Sequence, residues 1–387
     1  MASCADSQAL QIAMVAGEAS GDLLAARLLS GLRVAAPQAV THGIGGPKMQ
    51  ELGFRSDFPM EKLSVRGLFE VLAHYREIKG IQNALRAQLL QEKPAVFIGV
   101  DAPDFNLGLE AALRAAGIPT MHYIGPSIWA WRGGRIKKIK RAVSHMLVVF
   151  PFEPEIYQAA GIPATYVGHP LAQVIALAPD LAAARTRLGL HAAAPVLTVL
   201  PGSRMSELKY NSAAFVAAAH LLAKRAPGLQ IVLPLVSAAH ADYLRALLAQ
   251  AGVSADGLQI VIGGSYDAMA AADVVLVASG TATLEVALHK KPMVIAYKMM
   301  AASWHILKHM GYQPWIGLPN ILAREFLVPE LLQHAATPQA LADALSAQLA
   351  RDAAPLQKRF LDMHHSLLRD SAQEASRAVL QVIKAGA

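Results

Sequence analysis

Ile12-Ala-Met-Val-Ala-Gly-Glu-Ala-Ser-Gly-Asp22 runs from a short apolar segment through a glycine-bearing turn into a helical pattern. A second stretch repeats this arrangement, with an apolar run from Asp273 to Ala278 before Ser279-Gly-Thr-Ala-Thr-Leu-Glu285. Each turn sets backbone N–H groups at the carboxyl end of a strand, where open α/β sheets bind ligands and a helix N-terminus favours a phosphate. The two turns predict two similar domains that face a ligand cleft.

Short β-rich runs alternate with helical patterns along the chain. The predicted strands are 12–16, 41–44, 95–100, 120–124, 145–150, 165–167, 196–200, 231–235, 259–262, 274–278 and 293–296. This succession predicts βαβ units, so we expect an α/β chain with two Rossmann-like parallel-sheet domains, at 1–175 and 190–345. After Asn320 the pattern is helical to the end, and Thr337-Pro338 reads as an N-cap followed by proline.

Composition limits the class of protein. No apolar run approaches the roughly 18 residues that a membrane span needs, and the N-terminus lacks the basic segment of a signal peptide, so we expect a cytoplasmic protein. A single cysteine, Cys4, allows no intramolecular disulfide and no thiolate metal site.

The formal net charge of +7 indicates an anionic partner. Six basic residues fall within 131–141, a segment with too few aromatics for a nucleic-acid arm. The sequence leaves open whether this run is a solvated helix face or a site for phosphate groups or anionic lipid heads.

Polar residues follow two predicted strands of the first half. Asp101, Asp104 and Asn106 come directly after the strand at 95–100, where Asp101 or Asp104 could take a proton from a hydroxyl. Helix capping is the alternative. The candidates after the first strand form either a tight turn or a ligand cradle; they are Glu18, Ser20, Gly21 and Asp22. Their glycines do not match G-x-G-x-x-G, which disfavours a nicotinamide cofactor.

Two further segments of the first half have two interpretations each. The segment 122–132 suits sugar faces and acyl chains or forms a hydrophobic plug, and its candidates are Ser127, Trp129, Trp131 and Arg132. An apolar stripe at helical spacing is edged by basic residues and faces either the core or a membrane surface; its candidates are Val65, Leu68, Phe69 and Leu72.

The second half carries a complementary pair of turns. Pro201-Gly-Ser-Arg204 ends a strand and brings a guanidinium to the sheet edge, where it can bind phosphate bidentately. Ser279, Gly280, Thr281, Ala282 and Thr283 offer N–H groups and hydroxyls to a diphosphate, and Glu285 can accept from ribose or merely offset the helix dipole. Asn320 is a cleft contact or only a turn residue.

Together these motifs resemble the lipid-A-disaccharide synthase family, in the family's order. They are Gly17-Glu-Ala-Ser-Gly-Asp22, Asp101-Ala-Pro-Asp-Phe-Asn106, Pro126-Ser-Ile-Trp-Ala-Trp-Arg132, Leu200-Pro-Gly-Ser-Arg204, Ala278-Ser-Gly-Thr-Ala-Thr-Leu-Glu285 and Leu318-Pro-Asn320. The resemblance implies a GT-B glycosyltransferase, inverting and without metal or cofactor, whose C-terminal helices, 346–387, pack back on the first domain. UDP-2,3-diacylglucosamine would donate its sugar to the 6-hydroxyl of 2,3-diacylglucosamine 1-phosphate, which gives the β-1,6-linked disaccharide 1-phosphate and UDP in lipid A biosynthesis of Gram-negative bacteria.

The resemblance also implies roles for residues. Asp101 matches the essential acidic position and becomes the candidate base; Gly202, Ser203 and Arg204 lie beside the nucleotide, 279–283 surround the diphosphate, and Glu285 meets the ribose. The stripe at 65–75 would contact the cytoplasmic face of the inner membrane and its anionic phospholipid. The segment after Arg204 departs from the family pattern and leaves Glu207 in doubt.

Some alternatives stay open at this point. A UDP-N-acetylglucosamine 2-epimerase shares the architecture but leaves the apolar stripe and the tryptophans unexplained, and a nucleotide-binding scaffold would lack catalysis. We expect no nucleic-acid partner. The sequence leaves a monomer and a homodimer open.

Overall fold

The computed structural model describes residues 10–63, 68–129, 133–300, 304–305 and 313–386, with the side chains of 68–75 excepted. The chain divides into two compact units, which are described separately. Unit 1 comprises Met1–Gln173 and Leu367–Ala387, and unit 2 comprises Val174–Ser366.

Unit 1 contains a seven-stranded parallel sheet in the order β3-β2-β1-β4-β5-β6-β7. Its strands are β1 (Gln11–Ala16), β2 (Val40–Ile44), β3 (Arg55–Ser56), β4 (Val96–Val100), β5 (Thr120–Tyr123), β6 (His145–Val148) and β7 (Ala164–Tyr166). Unit 2 contains a six-stranded parallel sheet in the order β10-β9-β8-β11-β12-β13. Its strands are β8 (Val196–Leu200), β9 (Gln230–Leu235), β10 (Leu258–Ile262), β11 (Val274–Ala278), β12 (Met293–Tyr297) and β13 (Glu330–Leu332).

Helices connect and cover the strands. Those up to the unit boundary are α1 (Ala19–Ala35), α2 (Pro47–Gln50), α3 (Leu68–Glu92), α4 (Pro103–Ala115), α5 (Ile136–Ala142), α6 (Glu153–Ala159) and α7 (Pro170–Val174). Those that follow are α8 (Leu181–Arg187), α9 (Met205–Arg225), α10 (Ala238–Gln250), α11 (Ser265–Ala271), α12 (Thr281–Leu288), α13 (Leu318–Ala323), α14 (Pro338–Ala350), α15 (Ala354–Leu367) and α16 (Ser371–Gly386). Within the described ranges, no helix is both long enough and apolar enough to cross a membrane.

Both sheets follow the strand order of Rossmann folds, so the predicted fold class is confirmed. The central strands β4, β8 and β11 are buried along their whole length, which is typical of parallel sheets covered on both faces. The expected N-cap is also present, because the Thr337 hydroxyl accepts the Ala340 N–H and Pro338 begins α14.

The expectation of helix from Asn320 to the end is wrong at β13. This three-residue edge strand pairs with β12 in parallel register. Its first residue, Glu330, accepts the N–H groups of Ile316 and Gly317, so a carboxylate stabilises the loop beside the strand. Such a short segment has no readable period of its own.

The segment 346–387 divides between the two units. Residues 346–366 belong to unit 2, whereas α16 belongs to unit 1 and packs on α1. Ala375, Ala378 and Val379 of α16 are buried in this packing. The last helix of the chain therefore helps to cover the sheet formed by the first residues.

Candidate active site

The turn after β4 holds Asp101 in an unusual backbone conformation. Asp101 and Ala102 have φ values of +53° and +42°, so two consecutive residues other than glycine are left-handed. The Asp101 N–H donates to the Tyr123 carbonyl at 2.9 Å, and the Asn106 amide donates to the Asp101 carbonyl at 2.9 Å. Strained backbone of this kind clusters at functional sites. The turn therefore presents a half-buried Asp101 at the carboxyl edge of the sheet in a fixed position.

The turn after β1 lies beside the Asp101 turn. A Cβ placed on Gly17 would lie 3.1 Å from the Cβ of Ala102. Glu18 is half-buried and Ser20 is exposed at this edge, while Gly21 is buried against the Val100 carbonyl. Two predicted candidates from different strands, Glu18 and Asp101, thus belong to adjoining turns.

Asp22 is buried, and its carboxylate binds backbone groups of the chain. Its carboxylate accepts the N–H groups of Gly46, Lys48 and Met49 at 2.9 to 3.1 Å. These bonds cap the short helix α2, so both carboxylate oxygens of Asp22 bind backbone N–H groups of the chain.

The other candidates of unit 1 separate into exposed and buried groups. Asp104 is exposed in the first turn of α4, with its carboxylate 3.5 Å from the Arg135 guanidinium. Ser127 is exposed. Trp129 is buried edge-on against Phe150 and Phe152, with ring centroids 5.7 and 5.4 Å apart, as the hydrophobic-plug interpretation expects.

Several candidates lie outside the described residues. They are Trp131, Arg132 and Val65, together with the side chains of Leu68, Phe69 and Leu72. For the last three, the structure places only the backbone, in the first turns of α3.

Unit 2 contains a cavity of about 480 Å³ at the carboxyl edge of its sheet. The residues of the two predicted turns and their helix that line it are Gly202, Ser203, Arg204, Ser279, Gly280, Thr281, Ala282 and Glu285. The two predicted turns, after β8 and β11, thus meet at one cavity, because these strands are neighbours in the sheet.

Glu207 organises the turn after β8. One carboxylate oxygen accepts the Ser203 N–H at 2.9 Å and the Arg204 N–H at 3.3 Å, and the other accepts from the Arg204 guanidinium at 2.9 Å. Gly202 has a φ of +129°, and a Cβ there would lie 2.3 Å from the Glu207 Cβ. The Arg204 side chain is 77% exposed, so its charge is oriented by Glu207 yet accessible. A glutamate at the third helical position is a capping-box signal that the sequence does contain.

The turn after β11 leads into α12 through Gly280. Its φ of +150° and ψ of −164° belong to a region that essentially only glycine adopts. The N–H groups of Thr281 and Ala282 lie at the N-terminus of α12, where a helix can bind an anion, whereas the Thr283 N–H donates to the Gly280 carbonyl at 3.1 Å. Glu285 lies one turn further on, where burial raises the pKa of its carboxyl group. The Tyr266 hydroxyl donates to that carboxylate at 3.5 Å.

Thr283 and Asn320 do not reach the cavity. Both are fully buried. The Thr283 hydroxyl donates to the Gly280 carbonyl and accepts the Leu318 N–H. The Asn320 amide donates to Val328 and Glu330 and accepts from Leu327 and Val328, which uses its whole hydrogen-bonding capacity. Asn320 therefore builds the turn, as the second interpretation expects.

Part of the cavity wall was missing from the sequence-based prediction. The additional lining residues include Pro234, Leu235, Val236, Gly263, Ser265, Met269 and Tyr297. They follow or end β9, β10 and β12 or lie on α11, and the carboxyl ends of all parallel strands share this edge. Gly263-Gly264, both left-handed, is the sequence signal that could have indicated them.

Comparison with known proteins gives the family. The model of the lipid-A-disaccharide synthetase family matches residues 12–384. The chain is 54% identical over 380 residues to a lipid-A-disaccharide synthase of Paraburkholderia phymatum and 52% identical over 379 residues to that of an Azoarcus species, with 97% of each chain covered. The chain belongs to the lipid-A-disaccharide synthetase family.

Family membership confirms the resemblance and the prediction of a lipid-A-disaccharide synthase that acts in lipid A biosynthesis. Solved structures support the fold. A UDP-GlcNAc 2-epimerase from Neisseria meningitidis, bound to UDP-GlcNAc, has a TM-score of 0.63 at 11% identity and covers 97% of this chain and 100% of its own. The calicheamicin glycosyltransferase CalG4 has a TM-score of 0.56 at 15% identity, with 97% of both chains covered. At these identities the likeness establishes the GT-B-like fold of the synthetase family member and no more.

The described part of this synthetase family member contains no group of three or more histidine, cysteine, aspartate or glutamate residues that could hold a metal ion. At the cavity, this part of the chain places the Arg204 guanidinium and the N-terminus of α12.

Proposed function

We propose that this enzyme transfers the sugar of UDP-2,3-diacylglucosamine to the 6-hydroxyl of 2,3-diacylglucosamine 1-phosphate by inversion, without a metal ion. The cavity of unit 2 carries the proposal. It joins an accessible guanidinium, the N-terminus of α12 and a carboxylate, Glu285, at one edge of the sheet. That set matches the pyrophosphate and ribose of a UDP-sugar.

In this mechanism, Asp101 is the general base. Its carboxylate removes the proton from the acceptor hydroxyl as that oxygen attacks the anomeric carbon, and the bond from that carbon to the pyrophosphate breaks. The departing UDP carries the negative charge that develops. Arg204 and the N–H groups of Thr281 and Ala282 stabilise this charge, so neither a covalent intermediate nor a Lewis acid is required.

We assign the membrane contact to basic surface and to the stripe at 65–75, on the cytoplasmic face of the inner membrane. Both substrates carry acyl chains, which hold them at that surface. Lys137, Lys138, Lys140 and Arg141 are exposed on or beside α5, and each such charge contributes about 1 kcal/mol near anionic lipid.

The reaction is tested by incubating the enzyme with both acylated glucosamines and measuring UDP and the joined product by mass spectrometry. We expect UDP release only when the phosphorylated acceptor is present. Net UDP release without the acceptor, or interconversion of UDP-sugars alone, would exclude the transferase and favour a hydrolase or the epimerase.

The base is tested with Asp101→Asn. Because general-base catalysis contributes about 10²- to 10⁴-fold, we expect turnover to fall by that factor. UDP affinity, measured by calorimetry, should stay unchanged, since the cavity lies in unit 2. Near-normal turnover would assign the base to another carboxylate.

The membrane contact is tested with Lys137→Glu combined with Lys138→Glu. We expect this variant to lose cosedimentation with phosphatidylglycerol vesicles and to keep its UDP affinity. Binding to neutral phosphatidylcholine vesicles as strong as to anionic vesicles would contradict the electrostatic part of the proposal.

A further inference from the structure

A fully buried carboxylate–imidazole pair lies beneath the Asp101 turn. Glu110 of α4 and His122 of β5 have no exposed side-chain surface, and Glu110 Oε1 lies 2.7 Å from His122 Nδ1. Burial alone would lower the pKa of the His122 imidazole, but the carboxylates of Glu110 and Asp101 raise it above its ordinary value. Buried ion pairs are often less stabilising than apolar side chains of the same volume. Stability alone is therefore a weak reason for this pair.

Four residues meet at the pair. Gly99 of β4 is in register with His122 of β5. A Cβ on Gly99 would lie 2.2 Å from Glu110 Oε1 and 2.8 Å from the Cβ of Asn106, so the close approach of α4 to the sheet depends on this glycine. Asn106 and Glu110 are four residues apart and share one face of the helix.

Helix α4 and strand β5 also bind the backbone carbonyl and N–H groups of Asp101. Asn106, one turn before Glu110 on α4, donates to the Asp101 carbonyl at 2.9 Å. Tyr123, which follows His122 on β5, accepts the Asp101 N–H at 2.9 Å. The bond from Glu110 to His122 thus links the helix and the strand that supply these two contacts.

Polar atoms of this cluster are also left without protein partners. Within the described ranges, Asn106 Oδ1, Glu110 Oε2 and His122 Nε2 are buried and have no hydrogen-bond partner in the chain. Native structures contain few such atoms, and each needs a reason. Together with the left-handed Asp101 and Ala102, the cluster concentrates unfavourable features under one catalytic candidate.

We propose that the Glu110–His122 pair positions the base: it fixes α4 to β5, so that Asn106 and Tyr123 hold the Asp101 turn in its left-handed conformation. The inference rests on the proposed function, because it takes Asp101 as the base. Glu110 and His122 are positioning residues, which act through the turn and do not touch the substrate.

The test uses Glu110→Ala and Glu110→Gln in the full chain. Displacement of a catalytic group by about 1 Å can reduce the rate about 100-fold, so we expect Glu110→Ala to lower kcat by about 10- to 100-fold. The KM for the UDP-sugar and the affinity for UDP should not change. Glutamine can accept the same imidazole N–H, so Glu110→Gln should restore most of kcat.

Asp57→Ala is the matched control. Asp57 pairs with the buried His42 at 3.0 Å in the same unit. His42 lies on β2, which is separated from β4 by β1. This control should lower the unfolding temperature without lowering kcat. An equal kcat for Glu110→Ala and Asp57→Ala would overturn the proposal.

Two more variants keep the test decisive. If Glu110→Ala fails to fold, Asn106→Ala keeps the pair and removes the bond to Asp101; it should reproduce the loss of kcat, and an unchanged kcat would overturn the inference. In an Asp101→Asn background, Glu110→Ala should cause no further loss. Near-normal turnover of Asp101→Asn itself would refute the proposed base and this inference together, whereas an inactive Asp101→Asn with a fully active Glu110→Ala would refute the positioning alone.

Discussion

Two glycines of the unit 2 cavity are required for different physical reasons. At Gly202, a Cβ would collide with Glu207, whose carboxylate holds the turn and Arg204. At Gly280, a Cβ would meet no atom within 4 Å, but the φ of +150° excludes other residues. Gly202 is limited by contact as well as by its φ of +129°, and Gly280 by backbone conformation alone.

We therefore expect Gly202→Ala and Gly280→Ala to weaken UDP binding to different degrees. With alanine at position 280 we expect the free turn to relax out of this conformation, so that UDP binding must restore a strain of about 1–3 kcal/mol, which corresponds to about a 5- to 150-fold loss of UDP affinity. Gly202→Ala should lose more, because the clash also displaces Glu207 and Arg204. Calorimetric titration with UDP measures both affinities.

Gly252→Ala is the control. Gly252 follows α10, has a left-handed backbone, and has no atom within 4 Å of an added Cβ; it does not line the cavity. The stability of this variant should therefore fall without a change in UDP affinity. A UDP affinity of Gly280→Ala equal to or above that of the wild type would contradict the assignment.

For single residues, the sequence only partly distinguishes polar side chains that build a turn from those that line a ligand site. Arg204 and the residues from Ser279 to Ala282 reach the cavity, as the strand-end argument predicts. Asp22 and Asn320 stand in equally suggestive motifs, yet their polar atoms bind backbone groups of the same chain. Because Asp and Asn bond N–H groups and ligands with the same atoms, only the fold shows whether a chain partner already occupies them.

At the scale of the elements, the turn between β6 and α6 surrounds the carboxyl group of Glu153, whose pKa is strongly raised. Burial raises the pKa of Glu153 to about 7, although the N–H groups of Phe150 and Val149 donate to it. In the unfolded chain this group ionises near its ordinary value of 4.5. Between those two pH values the folded state holds a proton that the unfolded state releases.

This difference in bound protons determines how the free energy of unfolding changes with pH. Where the folded state binds more protons, the free energy of unfolding falls as pH rises, by up to about 1.4 kcal/mol per pH unit for one group. This contribution is present below pH 4.5 and is lost as pH rises to about 7. We expect Glu153→Gln, which keeps an acceptor oxygen, to remove the decline. Relative to the wild type, its unfolding temperature should rise from pH 4 to pH 8; a constant difference would contradict the assignment.

The sequence predicts most elements because apolar strands and helical periods are local signals. It misses β3 and β13, which have two and three residues and lie at the edges of their sheets. Their pairing is set by distant strands, β2 and β12, so no local period marks them. The same reason explains the missed wall of the cavity: Val236 and Gly263 line it only because β9 ends beside β8 and β10 ends beside β9.

For the molecule as a whole, unit 1 is formed from both ends of the chain. The last helix, α16, belongs to unit 1 and packs on α1, whereas residues 354–366 of the preceding helix belong to unit 2. The two helices approach closely at Gly31, where a Cβ would lie 2.2 Å from the Ala372 carbonyl oxygen and 3.0 Å from the Ser376 hydroxyl. Backbone atoms cannot yield as a flexible side chain can, so α16 would have to shift.

Gly31→Ala should therefore destabilise unit 1 and leave unit 2 unchanged. Overpacking costs about 1–3 kcal/mol, which exceeds the roughly 0.5–1 kcal/mol that alanine gains over glycine inside a helix. Hydrogen exchange measured by mass spectrometry should show faster exchange in α1 and α16, whereas the β8 and β11 amides and the UDP affinity should be as in the wild type.

Gly80→Ala is the matched control. Gly80 lies in α3 with no atom within 4 Å of the added Cβ, so this substitution should stabilise unit 1. Faster exchange in the unit 2 strands of Gly31→Ala would mean that the two units do not unfold independently. Unchanged exchange in α1 would mean that α16 does not stabilise it.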